Sequence, residues 1–138
     1  MAVKKILMID DDDEDRMLMQ DMFAEIGAPD VAHYEESGET ALSYLDALAE
    51  NERPSVIVLD LNMPKLNGTQ VLRLLKTDER FKNITVIIYS TSVNNIEKEE
   101  TLKLGALSYV IKPSSYEEYL EKARYFNSLS SSLSEKAQ

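Results

Sequence analysis

Cysteine and tryptophan are missing from this chain, and histidine occurs once. The lack of cysteine excludes a disulfide framework, a thiolate zinc site and a cysteine nucleophile, and leaves the compartment open. The lone histidine, His33, falls in a strand- or loop-like segment and is assigned no catalytic duty. Long apolar runs are missing too. Nothing approaches the ~20 residues of a membrane span, and the opening Met1-Ala2-Val3-Lys4-Lys5-Ile6 runs into acids with no small-residue cleavage site. A cytoplasmic protein with no membrane partner is expected. Clustered positive charge is the last absence. Lys and Arg number 15 and are scattered among 25 Asp and Glu, for a formal net charge of −10, whereas affinity for nucleic acid comes from clustered cations that displace counterions from phosphates. No nucleic-acid partner is expected, although a basic protein surface would be steered towards the chain.

What is present fits one domain. A chain of 138 residues, 43% of them hydrophobic, can bury roughly two thirds of its unfolded surface. The expected division is a domain over residues 1–127 and a polar tail over residues 128–138, frayed because serine fills five of positions 128–134.

Four short apolar runs organise that domain: Ile6-Leu7-Met8-Ile9, Val56-Ile57-Val58-Leu59, Val86-Ile87-Ile88-Tyr89 and Tyr109-Val110-Ile111. Strand-like segments begin near Lys5, Val31, Val56, Thr85 and Ser108, with amphipathic stretches between them. This alternation implies an α/β fold whose parallel sheet is covered on both faces and wound by right-handed crossovers.

The first helix, over residues 13–26, should turn Leu18, Met22 and Ile26, with Met19 and Phe23, to the sheet, and Gly27 suits its C-terminal turn. The second, over residues 38–51, carries Ala41, Leu42, Leu45 and Leu48. The third starts near Thr69 and dissolves at Thr77-Asp78-Glu79-Arg80. The fourth is charged nearly throughout, with Leu102 and Leu104 as its main anchors, and should be marginal. The fifth opens on Ser115 and Glu118 at capping-box spacing and continues with Tyr116, Tyr119, Leu120, Ala123 and Phe126 on one face.

The apolar runs stop at residues of different chemistry: Asp10 and Asp11, then Asp60, then Ser90, then Lys112. Ligands of open parallel sheets bind beyond the carboxyl ends of the strands, so these acids, hydroxyl and amine should converge. Three carboxylates brought together repel, which raises at least one pKa unless a cation relieves it. Mg2+ fits, since it takes hard oxygen ligands and bridges to phosphate oxygens. Asp60 is placed as a nucleophile on a rigid strand end, with Pro64 and Gly68 shaping the loop behind it. Lys112 could then neutralise an incoming phosphoryl group while Ser90 donates to one of its oxygens. Asp12, Asp13, Glu14 and Asp15 are read as a solvated helix start. The same stretch fails as an EF-hand, for want of the glycine and the final glutamate.

Ile9-Asp10-Asp11, Asp60 with Asn62-Met63-Pro64, Ser90, and Tyr109-Val110-Ile111-Lys112-Pro113 resemble, in order and spacing over about residues 4 to 127, the receiver domains of two-component response regulators. The resemblance implies a flavodoxin-like doubly wound sheet of order 2-1-3-4-5 with five helices. It implies that Asp60 accepts a phosphoryl group from a sensor histidine kinase or phosphotransfer protein. Asp11, Asp60 and the backbone carbonyl of Asn62 would ligate Mg2+ directly, and Asp10 mainly through water. Lys112 would contact the phosphoryl group, with a cis bond to Pro113. Ser90 and Tyr109 would form the switch that alters the face of helix four, strand five and helix five. A member would assist only its own phosphorylation and dephosphorylation and would otherwise be no enzyme.

Two positions depart from the family's commonest pattern: Ser90 stands for threonine, and Thr91 for a small residue. Asn62 and Ser92 occupy places that influence phosphoryl lifetime in the family. The link over residues 76–83 looks similar to that of stand-alone receivers, including those paired with phytochrome-type kinases. Two other readings stand beside this one. A phosphohydrolase of the haloacid dehalogenase type would use Asp10-x-Asp12, but Glu14 stands where its motif needs Thr or Val. A receiver could also bind partners without phosphorylation, although every residue needed for phosphorylation is present.

Overall fold

A computed structural model describes residues 3–136, with side chains to residue 134. Five strands, β1 (Ile6–Ile9), β2 (Ala32–Glu35), β3 (Val56–Leu59), β4 (Thr85–Ser90) and β5 (Ser108–Ile111), alternate with helices α1 (Asp13–Glu25), α2 (Gly38–Ala47), α3 (Gly68–Thr77), α4 (Asn95–Lys103) and α5 (Tyr116–Lys136). All strand pairs are parallel, in the order β2-β1-β3-β4-β5. This is the flavodoxin-like fold. Ile6 stands in register with Val56 and Val56 with Thr85, so β1, β3 and β4 end close together and their following residues share one edge.

The apolar runs are unbroken because both faces of the sheet are covered. Leu7, Ile9, Ile57, Leu59, Val86 and Ile88 pack against Ala41 and Leu45 of α2 and Val71, Leu72 and Leu75 of α3. The alternate residues Ile6, Met8, Val56, Val58, Ile87 and Tyr89 pack against Met19, Met22 and Phe23 of α1 and Ala123 and Phe126 of α5. Within α1 the stripe is narrower than expected, since Leu18 is exposed. Gly27 ends this helix with φ +82°, its N–H donating to Ala24 O and that of Ala28 to Phe23 O, a Schellman turn that needs a left-handed residue.

Three expectations require correction. The second helix stops at Ala47 and a 3₁₀ turn over Glu50–Glu52 follows. In α4 Leu102 is exposed, and fully buried Thr101 with partly buried Leu104 holds the helix down. The serine-rich segment does not fray within the described residues: α5 continues to Lys136. Leu129 and Leu133 extend its apolar face onto the α1 side of the sheet. Ser130 is fully buried, the Ser55 hydroxyl donates to its carbonyl at 3.0 Å, and the Ser134 hydroxyl reaches that of Ser55 at 3.3 Å. Tertiary packing overrides weak helix propensity here.

Candidate functional site

Asp10, Asp60, Ser90 and Lys112 all lie at the carboxyl edge of the sheet, each at or just beyond the end of a central strand or of β5. Asp10, Asp60 and Ser90 are buried. The carboxylates of Asp10, Asp11 and Asp60 approach so that one oxygen of each lies within 4.8 Å of the others. Asp10 Oδ1 accepts the N–H of Asp12 at 3.0 Å, and Asp60 Oδ1 that of Asn62 at 3.3 Å.

The ammonium of Lys112 is nearly enclosed. Nζ stands 2.9 Å from Asp10 Oδ2, 2.8 Å from Asp15 Oδ2 and 3.7 Å from Asp60 Oδ1, and 5.7 Å from the ring centroid of Tyr89. Of these contacts the one to Asp15 is a well-directed hydrogen bond. Asp10 Oδ2, although in ion-pair range, is buried without a hydrogen-bond partner. Asp15 is therefore misplaced by the reading of residues 12–15 as a solvated helix start. Asp12 is the N-cap, accepting from the N–H of Glu14 and Asp15, which puts Asp15 at the third helical position. Side chains there lean back over the cap, and that geometry was the available signal. Asp12, the second acid that a dehalogenase-type pair would need, is exposed and turned to the helix cap.

Burial holds the pKa of Asp10 above its ordinary value, against the hydrogen bond from Asp12 and the charge of Lys112. Burial and the charge of Asp10 push Asp60 up to about 6, with Lys112 pulling the other way. Burial opposes the charge on Lys112, yet the hydrogen bond to Asp15, the close ion pair with Asp10 and the field of Asp60 outweigh it and raise its pKa. Three carboxylates, of Asp10, Asp15 and Asp60, thus face one ammonium, with that of Asp11 close to Asp10 and Asp60. An all-oxygen donor set of three converging carboxylates, with more acids than the one ammonium neutralises, fits a hard divalent cation.

The backbone supports this edge tightly. A Cβ on Gly68 would fall 2.3 Å from the carbonyl oxygen of Asp60, and Gly68 donates its N–H to Leu61 O at 3.0 Å. Asn62 is exposed beside the pocket. Lys65 turns the same loop with φ 64°. Ser90 Oγ accepts the N–H of Ser92 at 3.1 Å, and Ser92 O accepts the hydroxyl of half-buried Tyr109 at 2.9 Å. The two expected switch residues are therefore joined through Ser92. The Lys112–Pro113 peptide is trans, correcting the cis expectation; the trans preference before proline is small but real, ~0.5–1 kcal/mol. His33 stacks on Tyr44 with ring centroids 3.8 Å apart, away from this edge on β2.

Residues 6–124 match the family model of the response regulator receiver domain. The chain belongs to this family. It is 33% identical over 109 residues to chemotaxis protein CheY1 of Helicobacter pylori, covering 79% of this chain and 85% of that one. Protein PilG of Pseudomonas aeruginosa is 30% identical over 118 residues, covering 84% and 82%. Among solved structures, the phosphorylated cyanobacterial phytochrome response regulator RcpA superposes with a TM-score of 0.79 at 30% identity, covering 91% of each chain. The Mn(2+)-bound form of response regulator Rcp1 gives 0.77 at 27% identity, covering 89% of this chain and 91% of that one. The chain is thus a CheY-like receiver domain, a signalling module whose acidic pocket is suited to a metal ion. Among the described residues no helix is long and apolar enough to cross a membrane.

Proposed function

We propose that Asp60 is the phosphoacceptor of this receiver and that a phosphohistidine, on a sensor histidine kinase or a phosphotransfer protein, is its donor. The observation that carries this reading is the convergence of the Asp10, Asp11 and Asp60 carboxylates within 4.8 Å beside the enclosed ammonium of Lys112. An oxygen of Asp60 bonds to phosphorus as the donor's nitrogen–phosphorus bond breaks. The electron pair leaves on the imidazole nitrogen, and the product is an aspartyl phosphate. Asp11, Asp60 and the Asn62 carbonyl would hold Mg2+ directly, and Asp10 mainly through water. Bound there, Mg2+ supplies charge neutralisation for the phosphoryl oxygens.

The chain's own groups do the rest. Lys112 moves its ammonium onto a phosphoryl oxygen, for which it lies 3.7 Å from Asp60 already. Ser90, whose hydroxyl oxygen now accepts from Ser92, donates its proton to another. That rearrangement pulls on Ser92 and hence on the Tyr109 hydroxyl bonded to its carbonyl. The face of α4, β5 and α5 changes as a result, and a charge event becomes a binding event. We place this activity in the cytoplasm, with a protein as the downstream target.

Two measurements test the assignment. Phosphoryl groups on a labelled phosphohistidine donor should pass to the wild-type protein and not to Asp60→Asn. In Mg2+ titration calorimetry Asp11→Ala should lose most of the affinity while Lys112→Ala keeps it. Unchanged affinity in Asp11→Ala contradicts the ligand assignment.

A further inference from the structure

We infer that Asp15 is a positioning residue that competes with the phosphoryl group for Lys112 and so slows phosphorylation of Asp60. The inference rests on the reading of Asp60 as phosphoacceptor. Lys112 Nζ is drawn to the α1 side of the pocket: 2.8 Å from Asp15 Oδ2 through a directed hydrogen bond, and 3.7 Å from Asp60 Oδ1 without one. The Lys112 side chain is 8% exposed and that of Asp15 17%, so solvent screens the pair little and its charge-assisted bond is strong. The enclosure leaves few places for the ammonium. Asp10 lies on one side and the Tyr89 ring beneath, while Ser90, whose carbonyl accepts the Lys112 N–H at 2.8 Å, fixes the backbone. An oxygen arriving at Asp60 can recruit Nζ only as the bond to Asp15 lengthens.

Among the described residues the Asp15 side chain is bonded to Lys112 alone. It is not the N-cap, which is Asp12, it is outside the carboxylate trio near Asp60, and its charged partner is Lys112. Its place at N3 of a capped first turn, where the Asp12 side chain accepts the Asp15 N–H, aims its carboxylate back over the cap towards Lys112.

The test uses the full chain at saturating Mg2+ with phosphoramidate as donor. Asp15→Asn keeps shape and removes charge, and its phosphorylation rate should rise about tenfold; Asp15→Glu, which restores the charge, should return towards wild type. The NMR signals of the Lys112 ε-methylene, in the unphosphorylated protein, should shift in Asp15→Asn and recover in Asp15→Glu, which a merely structural role at the helix start would not produce. Asp15→Ser replaces Asp15→Asn should that variant not fold. An Asp15→Asn rate equal to or below wild type, with Asp60 labelled normally, overturns the inference. Labelling that persists in Asp60→Asn overturns the underlying phosphoacceptor reading instead.

Discussion

A side-chain carbon on Gly68 would meet the carbonyl oxygen of Asp60 at 2.3 Å and the Cα of Leu61 at 2.6 Å. The first turn of α3 is thereby pressed against the backbone that carries the candidate nucleophile. Both neighbours are backbone, so neither can swing aside. Gly68→Ala should cost about 2–3 kcal/mol, in the range of overpacked cores, and should weaken Mg2+ binding because the Asp60 loop must move. Urea unfolding and a Mg2+ titration check the two effects.

Asp60 supplies a pH test. Its carboxyl is held up to about 6 in the folded chain against 3.8 ordinarily, so folding favours the protonated form. Its contribution is fully present below the unfolded pKa and is lost as pH rises through about 6. At pH 7 without divalent cation, the ionised carboxylate therefore destabilises the fold, on the order of 2–3 kcal/mol. Asp60→Asn should raise the melting temperature at pH 7 in the presence of chelator and do so much less near pH 4. An equal gain at both values contradicts the assignment of the strain to this carboxylate.

The link through Ser92 makes a third prediction. Tyr109→Phe removes the bond to Ser92 O and should cost about 0.5–1.5 kcal/mol. Beryllofluoride with Mg2+, as a phosphoryl mimic, should alter hydrogen exchange over residues 91–105 and 109–125 in the wild type. The variant should respond less at residues 109–125. A modest energy suffices, because α4 rests on Thr101 and Leu104 with Ile96 and Leu102 exposed, and ~1–3 kcal/mol of differential interaction shifts such an element.

A fourth concerns the end of α5. Leu129 and Leu133 pack on the α1 face of the sheet and Ser130 is buried against Ser55. A chain ending at residue 127 should unfold at a clearly lower urea concentration, and Leu129→Ala alone should cost about 1–3 kcal/mol for a partly buried leucine. An unchanged midpoint in both would mean that the segment adds nothing to the core.

The parallel sheet covered on both faces and the meeting of Asp10, Asp11, Asp60, Ser90 and Lys112 were legible because such a sheet leaves short apolar runs that end on chemistry, whereas the strand order came only with the resemblance to receiver domains. What escaped depended on contacts between distant segments. The helical fate of residues 128–136 is decided by Leu129, Leu133 and a serine pair with Ser55, 79 residues away at Ser134, whereas local composition argues for fraying. Asp15 escaped because an acid in a first helical turn is ordinarily solvated, and only the approach of β5 makes it a partner for Lys112, 97 residues on. In α4, Thr101 rather than Leu102 is the anchor, since the buried face of the helix falls on Thr101, which a nearly uniform charge pattern does not reveal.

Acetyl phosphate labelling tests the central claim, that Asp60 is phosphorylated within a cation-dependent acidic pocket. Wild-type protein, wild type with chelator, and Asp60→Asn with Mg2+ are each incubated with the donor, read by intact mass and mapped after borohydride trapping. The account predicts one added phosphoryl group on Asp60 in the first sample and none in the other two. Equal labelling of Asp60→Asn, or labelling of the wild type that ignores the chelator, would contradict it.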